Sequence, residues 1–504
     1  MAIGSPRVRR RTSLSTGVLE ARCILILVLA RKGDWREGRD MTLDKAELSA
    51  KQHQGIIDWV SKNMGARVTG IRRQRRWRPV WRVDAEKDGV PVPLLFKGTR
   101  AWDDIPFPLE NEYKVMQVLE ANGIPVPPVH GMCQYPKAIV MSWLKGGRDP
   151  GLVVEALENK SEISPDRWQA SLRYMETLAK MHSIDPAKFV EVGCEMPIGD
   201  AAKQLNLYER FRRMYEDKKL DDPFIEFCTL WLRRNVPMHR AMVSFCTGDC
   251  GQFLSEGPHL TAVIDMEVGH LADHFADLAC FRGRHPVENM GDVRALFDHY
   301  AKALGQPLDL NAIAYQTVVF LVYALFTPLF ALYEPSPGGD WVEGAIQVAF
   351  IGRRAAEAMA EILNVDLDDR LELPEPRRTP LEDLALDKII SEIERLELSE
   401  SFADWQRSTI ASIPRFLRNQ LHYGVWIQNE ELDELVPILG YRPGNVVDAD
   451  KALAAFVRQV GPEMDTKLLR LFYRRLLRQC HVIAGPNPPP DHLVLMKVEP
   501  MLRR

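Results

Sequence analysis

Two aspartates lie 16 residues apart, in Cys246-Thr247-Gly248-Asp249-Cys250-Gly251-Gln252-Phe253-Leu254 and in Ala262-Val263-Ile264-Asp265-Met266-Glu267. Each follows apolar residues that read as a short strand, 242–245 before the first and 260–264 before the second. A pair of carboxylates at strand ends can divide one task. One orients an attacking hydroxyl and the other holds Mg²⁺ against phosphates, as phosphoryl transfer from a nucleotide requires. Asp249 is the candidate for the hydroxyl and Asp265 for the metal, because Mg²⁺ prefers carboxylate and phosphate oxygens. The plainer reading is a turn aspartate capping amides after Gly248, and a structural aspartate at a strand end.

Positioning such a pair takes a scaffold, and 504 residues exceed one ordinary core, so two or three domains are expected. Residues 43–63 read as a helix, and 67–71, 80–85 and 92–97 as strands, with Asp88-Gly89 as a hairpin turn. Residues 109–121 read as a helix stopped by Asn122-Gly123, and 125–130 and 138–141 as two more strands. Ser164-Pro165 is an N-cap followed by proline at the first helical position. Helical periodicity continues over 201–235, interrupted near 221–223, and over 310–332, which is apolar almost all round and expected to cross a core. The expected organisation is an N-terminal extension at 1–42 and a small lobe at 43–142. A helical lobe follows at 143–370, then a linker at 371–380 and a separate all-helical domain at 381–504.

Seven segments in order resemble the aminoglycoside phosphotransferase and choline kinase family, over about residues 55–365. They are Leu95-Phe96-Lys97-Gly98, Asn111-Glu112-Tyr113, Gly123-Ile124-Pro125-Val126-Pro127, Val140-Met141-Ser142-Trp143, Leu178-Ala179-Lys180-Met181-His182, Trp231-Leu232-Arg233, and Gly269-His270 through Asp277-Leu278-Ala279. The resemblance implies a two-lobed protein-kinase-like α+β fold that uses ATP and Mg²⁺ to phosphorylate a hydroxyl of a small molecule. It implies that Lys97 holds the nucleotide phosphates, that Glu112 orients Lys97, and that Met141 and Trp143 lie at the adenine hinge. Asp277 is expected to cap backbone.

The chain also departs from that family. Thr247 stands where the pattern has His, and Leu254 stands five residues after Asp249, where a metal-binding Asn is usual. Gln252, in a loop that looks shortened, is the expected replacement ligand. The loop between the first two strands has no glycine and carries Arg72, Arg73, Arg75, Arg76 and Arg78. Arg73, Arg75 and Arg76 are expected to grip polyphosphate by side chain; a solvated basic turn is the alternative. These departures leave two readings open. One is an active subfamily with altered metal ligation. The other is a silent pseudokinase that binds a nucleotide or a CoA-like phosphorylated ligand and recruits a partner through its C-terminal helices.

Composition excludes other classes. A formal net charge of −4 argues against nucleic acid as a partner. Eight scattered cysteines without Cys-x-x-Cys fit a reduced cytoplasmic chain. No segment is read as a membrane span: residues 23–30 are apolar over only eight positions, and a basic pair follows where a signal peptide would have a cleavage site.

Overall fold

Strand alternation builds the small lobe. The computed structural model describes residues 45–75, 78–100, 105–149, 163–240, 242–336, 338–398, 401–489 and 492–502. The extension at 1–42 and Arg76 lie outside them. After α1 (Lys45–Met64) and β1 (Arg67–Arg73), β2 (Val80–Lys87) places Trp81, Val83 and Ala85 on one face by the two-residue period of a strand. That face packs with Leu94 and Phe96 of β3 (Val90–Gly98) against Ile56 and Val60 of α1. Leu95 and Met141 point into the main core beneath α2 (Leu109–Ala121).

β4 (Val129–Gln134) and β5 (Lys137–Ser142) complete a five-stranded antiparallel sheet of order β1-β2-β3-β5-β4. β4 begins four residues later than expected from sequence. Pro125, Pro127 and Pro128 have no N–H to donate to a ladder. In register, Lys97 faces Val80 on one side and Ile139 on the other, so its strand is central and its position fixed.

The large lobe starts with β6 (Gly147–Asp149) and α3 (Pro165–His182), whose expected cap is present: Ser164 accepts from the Arg167 N–H at 3.1 Å. α4 (Ala187–Val190), α5 (Asp200–Asp217) and α6 (Pro223–Arg234) follow, with Asp222 capping α6. Four short strands then carry the two aspartates: β7 (Ser244–Cys246), β8 (Phe253–Glu256), β9 (His259–Val263) and β10 (His270–Ala272). β7 pairs with β10, and β8 lies between β6 and β9. α7 (Phe275–Arg284), α8 (Val293–Leu304), α9 (Leu310–Tyr323), α10 (Phe326–Tyr333) and α11 (Trp341–Leu363) close the lobe. The stretch Leu310–Tyr333 is long and apolar enough to cross a bilayer, which corrects the sequence reading on length. Its most apolar window is 89% buried inside the lobe, as a core-crossing segment should be.

The C-terminal helices are α12 (Pro380–Glu394), α13 (Ser401–Glu434), α14 (Val436–Leu439), α15 (Val446–Val457) and α16 (Asp465–Ala484). These helices form the expected additional helical region, and they pack onto the helical lobe. Phe472 of α16 lies 5.4 Å from both Phe224 and Phe227 of α6, and one apolar cluster runs through both regions. Arg458 bridges to Asp221 and Glu226, and Arg234 to Asp465. The linker composition hid this, because a proline-rich crossing says nothing about where the following helices dock.

Candidate active site

The small lobe reaches the large one through Lys97. Its Nζ lies 2.6 Å from Glu112 Oε1 and 2.7 Å from Asp265 Oδ1. Glu112 Oε1 also accepts the Met266 N–H at 3.1 Å. α2 therefore holds both the base and the backbone that follows Asp265. Burial pulls the Lys97 pKa down, but Asp265 and Glu112 together pull it further up, so the ammonium stays charged. Burial dominates at Glu112 and raises its carboxyl. Its Oε2 is buried without a hydrogen-bond partner. Asp265 has φ 68°, a left-handed conformation that costs a non-glycine residue on the order of 1 kcal/mol and that aspartate tolerates better than most.

Two further bridges flank this pair. Arg78, 6% exposed just before β2, and Arg100 both grip Glu267. Although burial pushes the Glu267 carboxyl up, Arg100 and Arg78 hold it below its ordinary value. Lys97, Arg78 and Arg100 thus face Glu112, Asp265 and Glu267, a patch whose charges balance across the lobes.

The first aspartate is held differently. Gly248 (φ 73°) and Gly251 (φ 97°) turn the loop after β7. A Cβ on Gly248 would meet the Val268 carbonyl oxygen at 2.7 Å, so only glycine fits there. Asp277 of α7 accepts from the Thr247 N–H at 2.9 Å, the Thr247 hydroxyl at 3.0 Å and the Gly248 N–H at 3.2 Å. Asp277 caps loop backbone, as its helix position suggested, and Thr247 uses its hydroxyl on that anchor. His182 joins from α3, its Nε2 3.2 Å from Asp277 and its Nδ1 2.7 Å from the Tyr300 hydroxyl. The Tyr174 hydroxyl accepts the Gly251 N–H at 2.9 Å, and Tyr323 donates to the Gly248 carbonyl at 2.5 Å.

On this braced loop, Asp249 Oδ1 meets Arg284 and its Oδ2 accepts from the Gln252 amide. Arg284 is itself held by Glu288, with Nη2 to Oε1 at 3.0 Å and Nε to Oε2 at 3.2 Å. Gln252 is 2% exposed. The Ile264 N–H donates to the Gln252 carbonyl at 3.1 Å, which sets Gln252 beside the residue preceding Asp265. Its Oε1 is buried without a partner.

In the arginine loop, Arg73 is engaged by the protein itself. Arg73 donates to the carbonyls of Gln74, Arg78 and Val80 at 3.2, 2.8 and 3.3 Å. Its guanidinium lies 4.6 Å from the ring centroid of Phe402 on α13. It stiffens the loop and ties it to the C-terminal helices, because the turn's carbonyls need donors and no glycine supplies an alternative path. Arg75 is exposed. Met141 is packed in the core at 4% exposure, so of the two hinge residues Trp143 is left half-open. Its N–H donates to Pro93 at 2.9 Å and Arg82 lies 4.7 Å from its ring centroid. Sequence reasoning missed Arg284, Glu288 and Arg100. A signal existed for the first: Asp277, Cys280 and Arg284 share one face of α7 at helical spacing, and all three reach the Asp249 loop.

A sheet-based small lobe joined to a helical lobe, with a strand lysine bridging a helix glutamate and a strand-end aspartate, defines a kinase-like fold. Residues 108–306 match the family described as the phosphotransferase enzyme family. Similar solved structures include macrolide 2′-phosphotransferase type I, at 15% identity over 62% of this chain and 97% of that one, with a TM-score of 0.42. Macrolide 2′-phosphotransferase MphH from Brachybacterium faecium is 17% identical over 59% of this chain and 97% of that one, TM-score 0.42. Aminoglycoside phosphotransferase APH(4)-Ia is 12% identical over 61% and 98%, TM-score 0.41. No curated protein matches the chain.

Proposed function

We propose that the chain is an ATP- and Mg²⁺-dependent phosphotransferase that moves the γ-phosphoryl group to a hydroxyl of a small molecule. The observation that carries this reading is the Lys97–Glu112–Asp265 cluster spanning the two lobes, with Asp249 held on a braced loop nearby. Lys97 would meet the nucleotide phosphates, released from Asp265 and steadied by Glu112. Trp143 would border the base. Mg²⁺ fits the donors present. Asp265 supplies a carboxylate, and Gln252 Oε1 is an oxygen acceptor buried without a partner. Bound there, the cation would neutralise phosphate charge. Asp249 accepts the hydroxyl's hydrogen bond while Arg284 and Gln252 fix its plane, so positioning supplies most of its effect. A cytoplasmic location suits the buried free cysteines among the described residues.

The silent reading rests on the balanced patch, which needs no ligand to satisfy its charges. Thermal stabilisation separates the two. Mg²⁺–ATP should raise the melting temperature of the parent, and Asp265→Asn should abolish the Mg²⁺-dependent part. Asn is the right substitution because it tolerates the left-handed backbone that Ala would not. Unchanged Mg²⁺–ATP stabilisation in that variant would remove Asp265 as the ligand.

Gln252→Glu offers a second check. It sets a carboxylate against Asp249 Oδ2 in place of an amide donor, so the variant should melt below the parent in EDTA. Mg²⁺ should then recover more stability in the variant than in the parent, because the cation screens the new repulsion. Equal Mg²⁺ responses would place Gln252 away from the metal.

A further inference from the structure

We propose that Glu499, in the segment after α16, is a positioning residue for the Asp249 carboxylate, acting through Arg282 and His285 on either side of Arg284. α7 ends at Arg284 with His285 as its C-cap, not a glycine, and its last turn is held from outside the helix. Glu499 grips both sides of that turn. Its carbonyl accepts from Arg282 Nη2 at 2.9 Å and Nε at 3.3 Å. Its carboxylate lies 3.0 Å from His285 Nε2. The Met290 N–H donates to His285 Nδ1 at 3.3 Å, so Nε2 carries the ring proton and donates to Glu499. Burial pulls the His285 pKa down, which keeps the ring neutral and that tautomer in place.

Glu499 is itself fixed by α11. The Val498 N–H donates to Glu357 Oε2 at 3.1 Å, and the Met501 and Leu502 N–H groups both donate to Glu361 Oε1 at 2.6 Å. Glu361 also bridges to Arg282 at 2.5 Å, so one carboxylate joins α7 to the terminal segment. Both routes from Glu499 end on the Asp249 loop. Arg284 bonds the Asp249 carboxylate. A Cβ on Gly251 would meet Met290 Cε at 3.0 Å and Arg284 Cδ at 3.6 Å, so both side chains pack under the loop. A shift of His285 is therefore felt at the group that bonds Asp249 and at the group that supports its backbone. A displacement of about 1 Å at a reacting group can cost about 10²-fold in rate.

The effect on turnover rests on the proposed phosphotransferase reading; the placement of the loop does not. Hydrogen exchange of the full chain reads that placement, in Glu499→Ala and Glu499→Gln beside the parent. The Glu499 side chain is 53% exposed, so neither variant should shift the melting temperature by more than about 2 °C. In Glu499→Ala the amides of 247–251 and 281–288 should exchange at least about threefold faster, with the small-lobe strands unchanged. Glu499→Gln keeps an oxygen for the His285 N–H and should exchange as the parent does. With an acceptor in hand, Glu499→Ala should lower kcat about tenfold or more at unchanged nucleotide KM, and Glu499→Gln should restore it. Parent-like exchange or full turnover in Glu499→Ala, faster exchange throughout the chain, or a Glu499→Gln protein as impaired as Glu499→Ala overturns the proposal. If no acceptor supports phosphate release, the proposed function falls while the exchange rates still decide what Glu499 holds in place.

Discussion

Lys97→Met should abolish Mg²⁺–nucleotide binding and also cost about 3–5 kcal/mol of stability at neutral pH, because it strands two carboxylates that now share one ammonium. Glu112 is 1% exposed and cannot take up water instead. The loss should depend on pH. Burial raises the folded-state pKa of Glu112 above its unfolded value. Between those two values the folded protein keeps a proton that the unfolded chain has released, so stability falls as pH rises through that window. In the parent, Lys97 opposes the rise. Without Lys97 the folded pKa climbs further, the window widens, and the fall grows steeper. Urea denaturation at pH 5 and pH 8 should therefore show a larger gap between parent and variant at pH 8. A constant gap at the two pH values would mean that the Lys97 ammonium does not set the ionisation of Glu112.

The small lobe was legible in the sequence because its signals are local. Trp81, Val83 and Ala85 alternate, Asp88-Gly89 turns the chain, and Asn122-Gly123 ends α2. The Lys97–Glu112 pair followed from the resemblance, and the structure brings the two within 2.6 Å. What could not be read is what depends on distant partners. Arg73 looks like a phosphate ligand until the carbonyls of Gln74, Arg78 and Val80 and the ring of Phe402 are in place around it. That Gln252 is buried and bonded to Asp249 depends on the folded loop around it. Arg284 gains meaning only when α7 docks beneath the loop. Where the C-terminal helices dock was not legible either, because periodicity shows that a face is buried without showing against what.

Asp249→Asn should lower turnover by about 10²- to 10⁴-fold with stability held within about 0.5 kcal/mol of the parent. The fold should survive because the replacement keeps an oxygen for Arg284, and Glu288 still holds that guanidinium at 3.0 and 3.2 Å. The new amide presents N–H where Oδ2 was, facing the Gln252 amide donor. Gln252 relieves that conflict by turning over, so that its orphaned Oε1 accepts from the new N–H. The flip has a second consequence. It withdraws the oxygen offered to Mg²⁺, so the variant should show weaker Mg²⁺ dependence of nucleotide binding although Asp265 and Lys97 are untouched. Phosphate-release assays with small alcohols, sugars and aminoglycosides, run beside Mg²⁺ titrations of nucleotide binding, measure both effects. Full turnover in Asp249→Asn would remove Asp249 from the chemistry. A parent that binds Mg²⁺–ATP but releases no phosphate with any acceptor, or with water, would instead establish the silent reading. The bonds from Arg284 and Gln252 to Asp249 would then be the reason, closing off the carboxylate that an acceptor hydroxyl must reach.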